Sequence, residues 1–211
     1  MIFAYGLFVT IAPLKIQGKL ILKRGIIHMS LNKTVVLVGM MGSGKSAVGK
    51  ALAAALAVSF VDSDHEISVA ANRSISDIFE HDGAVFFRRV ESQIIKRLLH
   101  GSPCILSTGG GAFMSTENRA LIAELGISVF LNADLQLLWE RVRHKSSRPL
   151  LKTLNPKATL TKIFDDRKAQ YDQAELTITS SSSCSIAQTT QNVLGALAQR
   201  TDVLNKAGGQ L

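Results

Sequence analysis

An eight-residue segment between an apolar run and a helical stretch constrains the fold more than any other feature. The run is Thr34–Val38, and the segment is Gly39-Met40-Met41-Gly42-Ser43-Gly44-Lys45-Ser46. It matches the pattern G-x-x-x-x-G-K-[ST] in the strand–loop–helix context that gives this pattern its meaning. Such glycines let backbone N–H groups turn towards a phosphate, and the following helix N-terminus adds a favourable dipole field. We therefore expect Gly39–Ala47 to bind a nucleoside triphosphate, with Lys45 on the β- and γ-phosphates and Ser46 on Mg²⁺.

Apolar runs alternate with helical stretches along most of the remaining chain. The expected strands are Thr34–Val38, Val58–Val61, Cys104–Ser107, Ser128–Leu131 and Thr177–Thr179. The expected helices are Lys45–Leu56, Gly83–Leu99, Thr116–Leu125, Leu135–Arg143 and Ser185–Leu197. Continuous apolar strands separated by helices are typical of an α/β fold in which helices cover both faces of a parallel sheet.

Composition excludes several other classes of protein. The 46% of hydrophobic and 19% of charged residues exclude a disordered chain. No apolar run reaches the ~18–20 residues of a membrane span. Cys104 and Cys184 match no metal or redox spacing, and they fit a reducing cytoplasm. Half of the net charge of +8 lies in residues 1–28, and the rest is scattered, so we expect no nucleic-acid partner and no membrane partner.

Residues 1–28 differ in character from the rest of the chain. Their apolar opening lacks the basic region that precedes a signal-peptide core, and Met29 provides a natural start just before the first strand. We expect residues 1–28 to be a dispensable N-terminal extension and residues 29–211 to form the P-loop domain. The alternative is that the extension anchors the protein to a membrane surface.

Two carboxylates come directly after the second expected strand. Many P-loop proteins end a later strand with an Mg²⁺-binding aspartate, but Cys104–Ser107 leads into glycines instead. Ligands of open α/β sheets gather at the carboxyl ends of strands, and alternation along an extended chain would turn Asp62 and Asp64 to the same side. One could hold the metal's water shell while the other accepts a hydroxyl proton. The alternative is a cap on a helix that begins near His65.

Phosphoryl transfer also requires cations around the transferred group. Arg88 lies three residues before Glu91 on one helical face. Arg148 belongs to a basic segment that starts at Arg141 and could form a mobile lid over residues 141–156. Arg167 lies four residues before Tyr171. Taken singly, each arginine is better explained as a surface charge.

In this order, the motifs resemble those of the shikimate kinases, from about Val35 to Tyr171. Beyond the P-loop, the resemblance rests on Asp62-Ser63-Asp64, Phe87-Arg88-Arg89-Val90-Glu91, Gly109-Gly110-Gly111, Arg148-Pro149-Leu150-Leu151 and Arg167 with Tyr171. It implies a three-layer P-loop kinase fold whose parallel sheet has five strands in the order 2-3-1-4-5. It also implies transfer of the ATP γ-phosphoryl group to the 3-hydroxyl of shikimate, in the chorismate pathway to aromatic amino acids. The enzyme would be a cytoplasmic monomer.

The resemblance implies specific roles for the residues on the acceptor side. Asp64 would contact the shikimate hydroxyls and act as base or orienter for the attacking one. Arg88 and Arg167 would clamp the carboxylate, which suits the planar guanidinium fork, and Glu91 would hold Arg88 in place. The backbone of Gly109, Gly110 and Gly111 would pack against the bound acid, where a Cβ atom would collide.

On the nucleotide side, the resemblance implies three further roles. Asp62 would hold Mg²⁺ through water, beside Ser46. Arg148 would swing in on the lid to reach the ATP phosphates and act as a catalytic residue with Lys45. Arg141 would lie against the adenine.

The chain departs from the family pattern at one site position, where Ala169 replaces a proline that often stands two residues before the tyrosine. Two other functions remain open. A gluconate kinase shares the fold, although the triple glycine and the Arg148 motif argue against it. A P-loop switch or nucleic-acid-associated ATPase would need a partner surface or basic stripe that the sequence does not display.

Overall fold

The computed structural model describes residues 14–16, 19–22, 25–144, 149–151 and 153–207. Its strands are β1 (Leu14–Ile16), β2 (Lys19–Leu22), β3 (Gly25–Leu31), β4 (Thr34–Val38), β5 (Phe60–Asp62), β6 (Ile105–Ser107), β7 (Gly126–Ala133), β8 (Leu176–Ser180) and β9 (Leu204–Ala207). Its α-helices are α1 (Lys45–Leu56), α2 (Ser63–Ala71), α3 (Ile75–His81), α4 (Gly83–Leu99), α5 (Thr116–Leu125), α6 (Leu135–Val142), α7 (Pro156–Tyr171) and α8 (Ile186–Leu197). Two short 3₁₀ helices span Ala112–Met114 and Pro149–Leu151. Within these ranges, no helix is both long and apolar enough to cross a membrane.

Five parallel strands form the central sheet in the order β5-β6-β4-β7-β8. Numbered along the chain within this sheet, that order is 2-3-1-4-5, so the predicted fold is confirmed. The P-loop comes after β4, the middle strand, and therefore emerges at the centre of the carboxyl edge, where ligands of such sheets bind.

Alternation along the buried strands creates two separate cores. In β4, Val36 and Val38 pack in a cluster with residues of α4, α5, α6 and α7. Val35 and Leu37 belong to the opposite cluster, with residues of α1 and α8. Because successive side chains of a strand point to opposite faces, a continuous apolar run supplies both cores, which is why the strand shows no polar alternation.

Some predicted helix boundaries agree with the structure to the residue. Helices α1, α4 and α5 begin and end at the predicted residues. Helix α3 was not predicted, and of α7 only the stretch from Arg167 to Tyr171 was predicted to be helical, without bounds. The signal for α3 is present, since Ser74 and Asp77 form a capping box. Helix α7 has a weaker one, because it buries only Leu160 and Tyr171.

A second, antiparallel sheet joins the two ends of the described chain in the order β1-β2-β3-β9. The sequence did not lead us to predict it, and the expected boundary at Met29 falls inside β3. Strand β3 pairs with β9 from His28↔Ala207 to Leu31↔Leu204. Next to this pairing, Lys33 Nζ lies 3.0 Å from Asp202 Oδ2. The chain that enters the P-loop domain is thus connected to the C-terminal strand.

Candidate active site

A cavity of about 450 Å³ opens at the carboxyl ends of the central strands, above the P-loop. It is lined by residues 41–48, Asp62, Asp64, residues 107–110, Arg141, Ser180, Cys184, Ile186 and Thr189. Most of the predicted nucleotide-binding residues therefore share one cavity, which we call the nucleotide cavity. Gly39 and Met40 do not belong to this lining.

The P-loop exposes the N-terminus of α1 to this cavity. Gly44, the residue before α1, has φ +100°, a conformation that residues with a Cβ rarely adopt, and no side chain caps the helix there. The first N–H groups of a helix have no partner within it. A phosphate placed in the cavity would satisfy them and meet the positive end of the helix dipole.

Lys45 is buried beneath the loop that it is expected to serve. Its Nζ donates to the carbonyl oxygens of Gly39 at 2.8 Å and Met40 at 3.0 Å. These contacts keep the ammonium charge within the turn of the P-loop, through the backbone of two residues that do not line the cavity.

Ser46 and Asp62 meet at the floor of the nucleotide cavity. The Ser46 hydroxyl donates to Asp62 Oδ2 at 3.0 Å, and Asp62 Oδ1 accepts the N–H of Asp64 at 3.1 Å, which caps α2. The two roles considered for Asp62, metal shell and helix cap, therefore use different oxygens of one carboxylate. The expected extended alternation is wrong, because α2 begins at Ser63. The buried hydroxyl of Ser63 accepts the N–H of Gly109 at 3.2 Å.

Ser107 is a site residue that the sequence did not lead us to expect. It ends β6, where many P-loop proteins have an acidic residue, and its Oγ lies 3.5 Å from Ser46 Oγ. Ser180, at the end of β8, also lines the nucleotide cavity. The rule that the carboxyl ends of parallel strands face the ligand would have indicated both positions.

A second cavity of about 310 Å³ adjoins the first and shares Met41, Asp64, Gly109 and Gly110 with it. We call it the acceptor cavity. One wall is apolar and was not predicted from the sequence; it consists of Ile75, Phe79, Phe87 and Leu150. The other wall is charged and contains Asp64, Arg88, Glu91 and Arg167. An acceptor with an apolar ring face and an anionic group would match both walls.

Arg88 and Glu91 form a tight ion pair in the acceptor cavity. Arg88 Nη1 donates to Glu91 Oε2 at 2.5 Å, and the Arg88 guanidinium lies over the Phe87 ring, 5.1 Å from its centre. Glu91 is only 1% exposed. Burial raises the pKa of the Glu91 carboxyl above its usual value even though Arg88 opposes the shift, and the nearby Asp64 carboxylate adds to it.

The outer two glycines of the Gly109–Gly111 run leave space for the protein's own charges. A Cβ atom at Gly109 would lie 2.8 Å from Asp64 Oδ1 and 2.9 Å from Glu91 Oε1, and one at Gly111 would collide with the Arg88 guanidinium. A Cβ at Gly110 would make only ordinary contacts, the nearest at 3.6 Å. Gly109 and Gly110 line both cavities, whereas Gly111 lines only the acceptor cavity.

Arg167 and Tyr171 approach this loop from α7. Arg167 Nη1 donates to the Gly110 carbonyl at 2.8 Å, and the Tyr171 hydroxyl donates to the same oxygen. Helix α7 continues through Ala169, so the departure from the family pattern leaves Arg167 in the acceptor cavity. Arg167 thus lies on the acceptor side, where the resemblance implied that it would be.

The predicted lid is described only in part. Arg141, at its start, donates from Nη1 to the Gly42 carbonyl at 3.1 Å and lines the nucleotide cavity. Leu150 lines the acceptor cavity. Arg148 lies outside the described residues.

The P-loop cavity therefore shares Asp64 with a cavity that contains two arginines. Comparison with known proteins shows the family to which the chain belongs. The family model for shikimate kinase matches residues 41–198. The chain belongs to the shikimate kinase family. Family membership makes it an ATP-dependent kinase, as the resemblance implied, and agrees with the nucleoside triphosphate site predicted from the P-loop.

Relatives within the shikimate kinase family cover most of the chain. The shikimate kinase of Ruegeria pomeroyi is 57% identical over 175 residues, which are 83% of this chain and 90% of that protein. That of Cereibacter sphaeroides is 57% identical over 174 residues, 82% of this chain and 87% of that protein. The structure of shikimate kinase from Acinetobacter baumannii in complex with shikimate is 34% identical, with a TM-score of 0.75 over 79% of this chain and 93% of that one. A gluconokinase from Sinorhizobium meliloti, at 19% identity and a TM-score of 0.51, shares the fold alone.

Proposed function

We propose that the chain transfers the γ-phosphoryl group of ATP to the 3-hydroxyl of shikimate, with a role for each residue on the two cavities. The observation that carries the proposal is that Asp64 lines both cavities, between the P-loop and a pair of arginines. A group that lines both cavities can contact an acceptor hydroxyl while that hydroxyl faces the γ-phosphate.

The nucleotide side acts by binding and by stabilising charge. The amides of residues 42–46 and the α1 N-terminus would hold the phosphates, and Lys45 would exchange its carbonyl partners for the β- and γ-phosphate oxygens. Arg141, which borders the same cavity, would lie against the adenine. Arg148 would approach the phosphates from the lid. Phosphoryl transfer depends mainly on such positioning and on charge stabilisation.

Magnesium fits the floor of the nucleotide cavity. Ser46, Asp62 and Ser107 form a set of oxygen donors there, with Ser46 Oγ 3.0 Å from Asp62 Oδ2 and 3.5 Å from Ser107 Oγ. Oxygen donors are the ligands that Mg²⁺ prefers. Ser46 would ligate the ion, and Asp62 would hold it through water. When bound, the ion would neutralise charge on the phosphates.

The acceptor side recognises an anionic ring compound. Arg88, fixed by Glu91, and Arg167 would clamp the carboxylate of shikimate with their guanidinium forks. The apolar wall, including Phe79 and Phe87, would face the ring. Asp64 would then accept a hydrogen bond from the 3-hydroxyl, orient its oxygen towards the γ-phosphate and take up its proton as the bond to phosphorus forms.

The test is the release of ADP from ATP and Mg²⁺ with shikimate, with gluconate and with neither. The proposal predicts turnover only with shikimate. Turnover with gluconate would leave the nucleotide side in place but contradict the carboxylate clamp. Equal turnover without an acceptor would make the protein an ATPase. Size-exclusion chromatography with light scattering would test the proposed monomer, and cell fractionation the proposed cytoplasmic location.

A further inference from the structure

Tyr171 lies behind the Gly109–Gly111 loop. Its side chain is 1% exposed, and its ring stacks on Phe130 with a centroid distance of 5.0 Å and an interplanar angle of 13°. Burial raises the pKa of Tyr171 to about 12, so its hydroxyl keeps its proton at neutral pH and can act as a donor. That donor is held in place by burial of the whole side chain, which leaves the ring no room to turn away from Gly110.

The Gly110 carbonyl receives two donors that differ in mobility. One is the Tyr171 hydroxyl and the other is Arg167 Nη1, at 2.8 Å. A carbonyl oxygen can accept two hydrogen bonds. Arg167 reaches the carbonyl through a long, flexible side chain, and it also lines the acceptor cavity. Its guanidinium can therefore change partner, whereas the phenol cannot.

The proposed function assigns Arg167 a second partner, the acceptor's carboxylate. Turning the guanidinium fork towards a carboxylate weakens its hold on Gly110. A part-buried backbone carbonyl that lost all of its donors on binding would weaken the binding of the acceptor, because polar groups held away from water are costly to leave unpaired. The tyrosine hydroxyl prevents that loss of affinity, since it holds the same oxygen throughout.

We propose that Tyr171 is a positioning residue of the acceptor site: its hydroxyl holds the Gly110 carbonyl, which releases Arg167 to bind the carboxylate. The inference rests on the proposed function. Without the hydroxyl, Gly110 depends on Arg167 alone, and the acceptor must compete with the loop for the arginine. Affinity for a carboxylate acceptor then falls, while affinity for ATP does not.

The first experiment compares steady-state kinetics of the wild type and Tyr171→Phe. The phenylalanine keeps the ring and its stack on Phe130 but removes the donor. We expect the KM for shikimate to rise roughly 3- to 10-fold, the worth of one buried hydrogen bond, with kcat and the KM for ATP within about twofold. Replacing Tyr171 with 4-aminophenylalanine, which restores a donor at the same place, should return the KM for shikimate towards the wild-type value.

A matched control and an acceptor analogue separate positioning from packing. Phe130→Leu removes the ring stack but leaves the hydroxyl, so it should lower the Tm without changing the ratio of the two KM values. The methyl ester of shikimate has no carboxylate to attract Arg167. Its inhibition constant should therefore be the same for the wild type and for Tyr171→Phe.

The outcomes distinguish this inference from the proposed function. If the wild type phosphorylates shikimate but Tyr171→Phe leaves its KM unchanged, or weakens acid and ester alike, the inference is overturned and the function stands. A Tyr171→Phe chain that does not fold, with no recovery in the 4-aminophenylalanine chain, also overturns it. If the wild type does not phosphorylate shikimate, the proposed function itself fails.

Discussion

The two cavities of the site are adjacent, yet they are built in different ways. One contiguous segment, residues 41–48, includes the N-terminus of α1 and supplies eight of the residues that line the nucleotide cavity. The charged wall of the acceptor cavity comes from three helices, with Asp64 on α2, Arg88 and Glu91 on α4, and Arg167 on α7. Under the proposed function, backbone groups would hold the phosphates, whereas side chains would select the acceptor.

This difference explains how sensitive each half should be to substitution. Amides of a P-loop remain when a side chain changes, so phosphate binding is spread over many groups. In the acceptor cavity, charged side chains depend on each other, as where the buried Glu91 carboxylate pairs with the part-exposed Arg88 guanidinium. Loss of one such partner leaves the other uncompensated, which costs more than loss of a surface ion pair.

The largest effect is expected at Asp64, where the two cavities meet. In Asp64→Asn, the amide can still contact the acceptor hydroxyl but cannot take its proton, so kcat should fall by roughly 10²- to 10⁴-fold. The Kd of a non-hydrolysable ATP analogue should stay within about twofold. Asp166→Asn, an exposed change on α7, is the control for loss of one carboxylate. Wild-type turnover in Asp64→Asn would remove Asp64 from the proton-accepting role.

The second largest effect is expected at Arg88, where a substitution should change the affinity for the acceptor but not the affinity for ATP. Arg88→Lys keeps the charge but loses the fork that a planar carboxylate needs. We expect the KM for shikimate to rise about 10-fold or more, the worth of one charge-assisted hydrogen bond, while the KM for ATP remains near the wild-type value. Arg89→Lys is the matched control, because Arg89 is the next residue on α4 but lies over Phe86, outside the acceptor cavity. A rise confined to the KM for ATP would reassign Arg88 to the nucleotide side.

A smaller effect concerns the pH dependence of the acceptor half. Burial raises the pKa of Glu91 in the folded chain above the usual value of 4.5. Between these two values, Glu91 is protonated in the folded chain but has released its proton in the unfolded chain. As the pH rises from 4.5 through the raised value, the wild type should therefore lose stability relative to Glu91→Gln, which does not titrate. Thermal unfolding of both chains from about pH 4 to about pH 8 measures this difference. A difference that is constant or of opposite sign would contradict the cause given for the shift.

The smallest effect is expected far from both cavities. A chain that begins at Met29 loses β1, β2 and the His28↔Ala207 pair but keeps the pairs of β3 with β9 from Met29 to Leu31. We expect its kcat, both KM values and its Tm to remain close to those of the full chain. A drop in Tm of several degrees would make the small sheet part of the stable domain. Binding of the full chain alone to anionic vesicles would favour the membrane-surface alternative.

The sequence predicted best those features that depend on neighbouring residues. The P-loop, β4 and α1 come from a continuous local pattern, and their bounds agree with the structure. Asp62 and Asp64 were predicted to share a cavity, which is confirmed, but for a wrong reason, since capping by Asp62 starts α2 at once and ends the extended chain.

Contacts between distant parts of the chain were harder to predict from the sequence. Arg167 and Tyr171 meet Gly110 across 57 and 61 residues, and only the family resemblance suggested that Arg167 serves the acceptor. The apolar wall of the acceptor cavity was missed because Phe87 looks like an ordinary core residue of α4, and because α3, which carries Phe79, was not predicted. Strand β9 was missed because its residues carry no apolar alternation of their own.

The central claim is that Asp64, at the junction of the two cavities, selects which acceptor hydroxyl attacks the phosphate. The most direct measurement is a proton–phosphorus correlation spectrum of the product formed from ATP, Mg²⁺ and shikimate. The account predicts one phosphomonoester, with its phosphorus coupled to the ring proton at carbon 3. Coupling to the proton at carbon 4 or carbon 5, or formation of ADP with no phosphorylated acceptor, would contradict it.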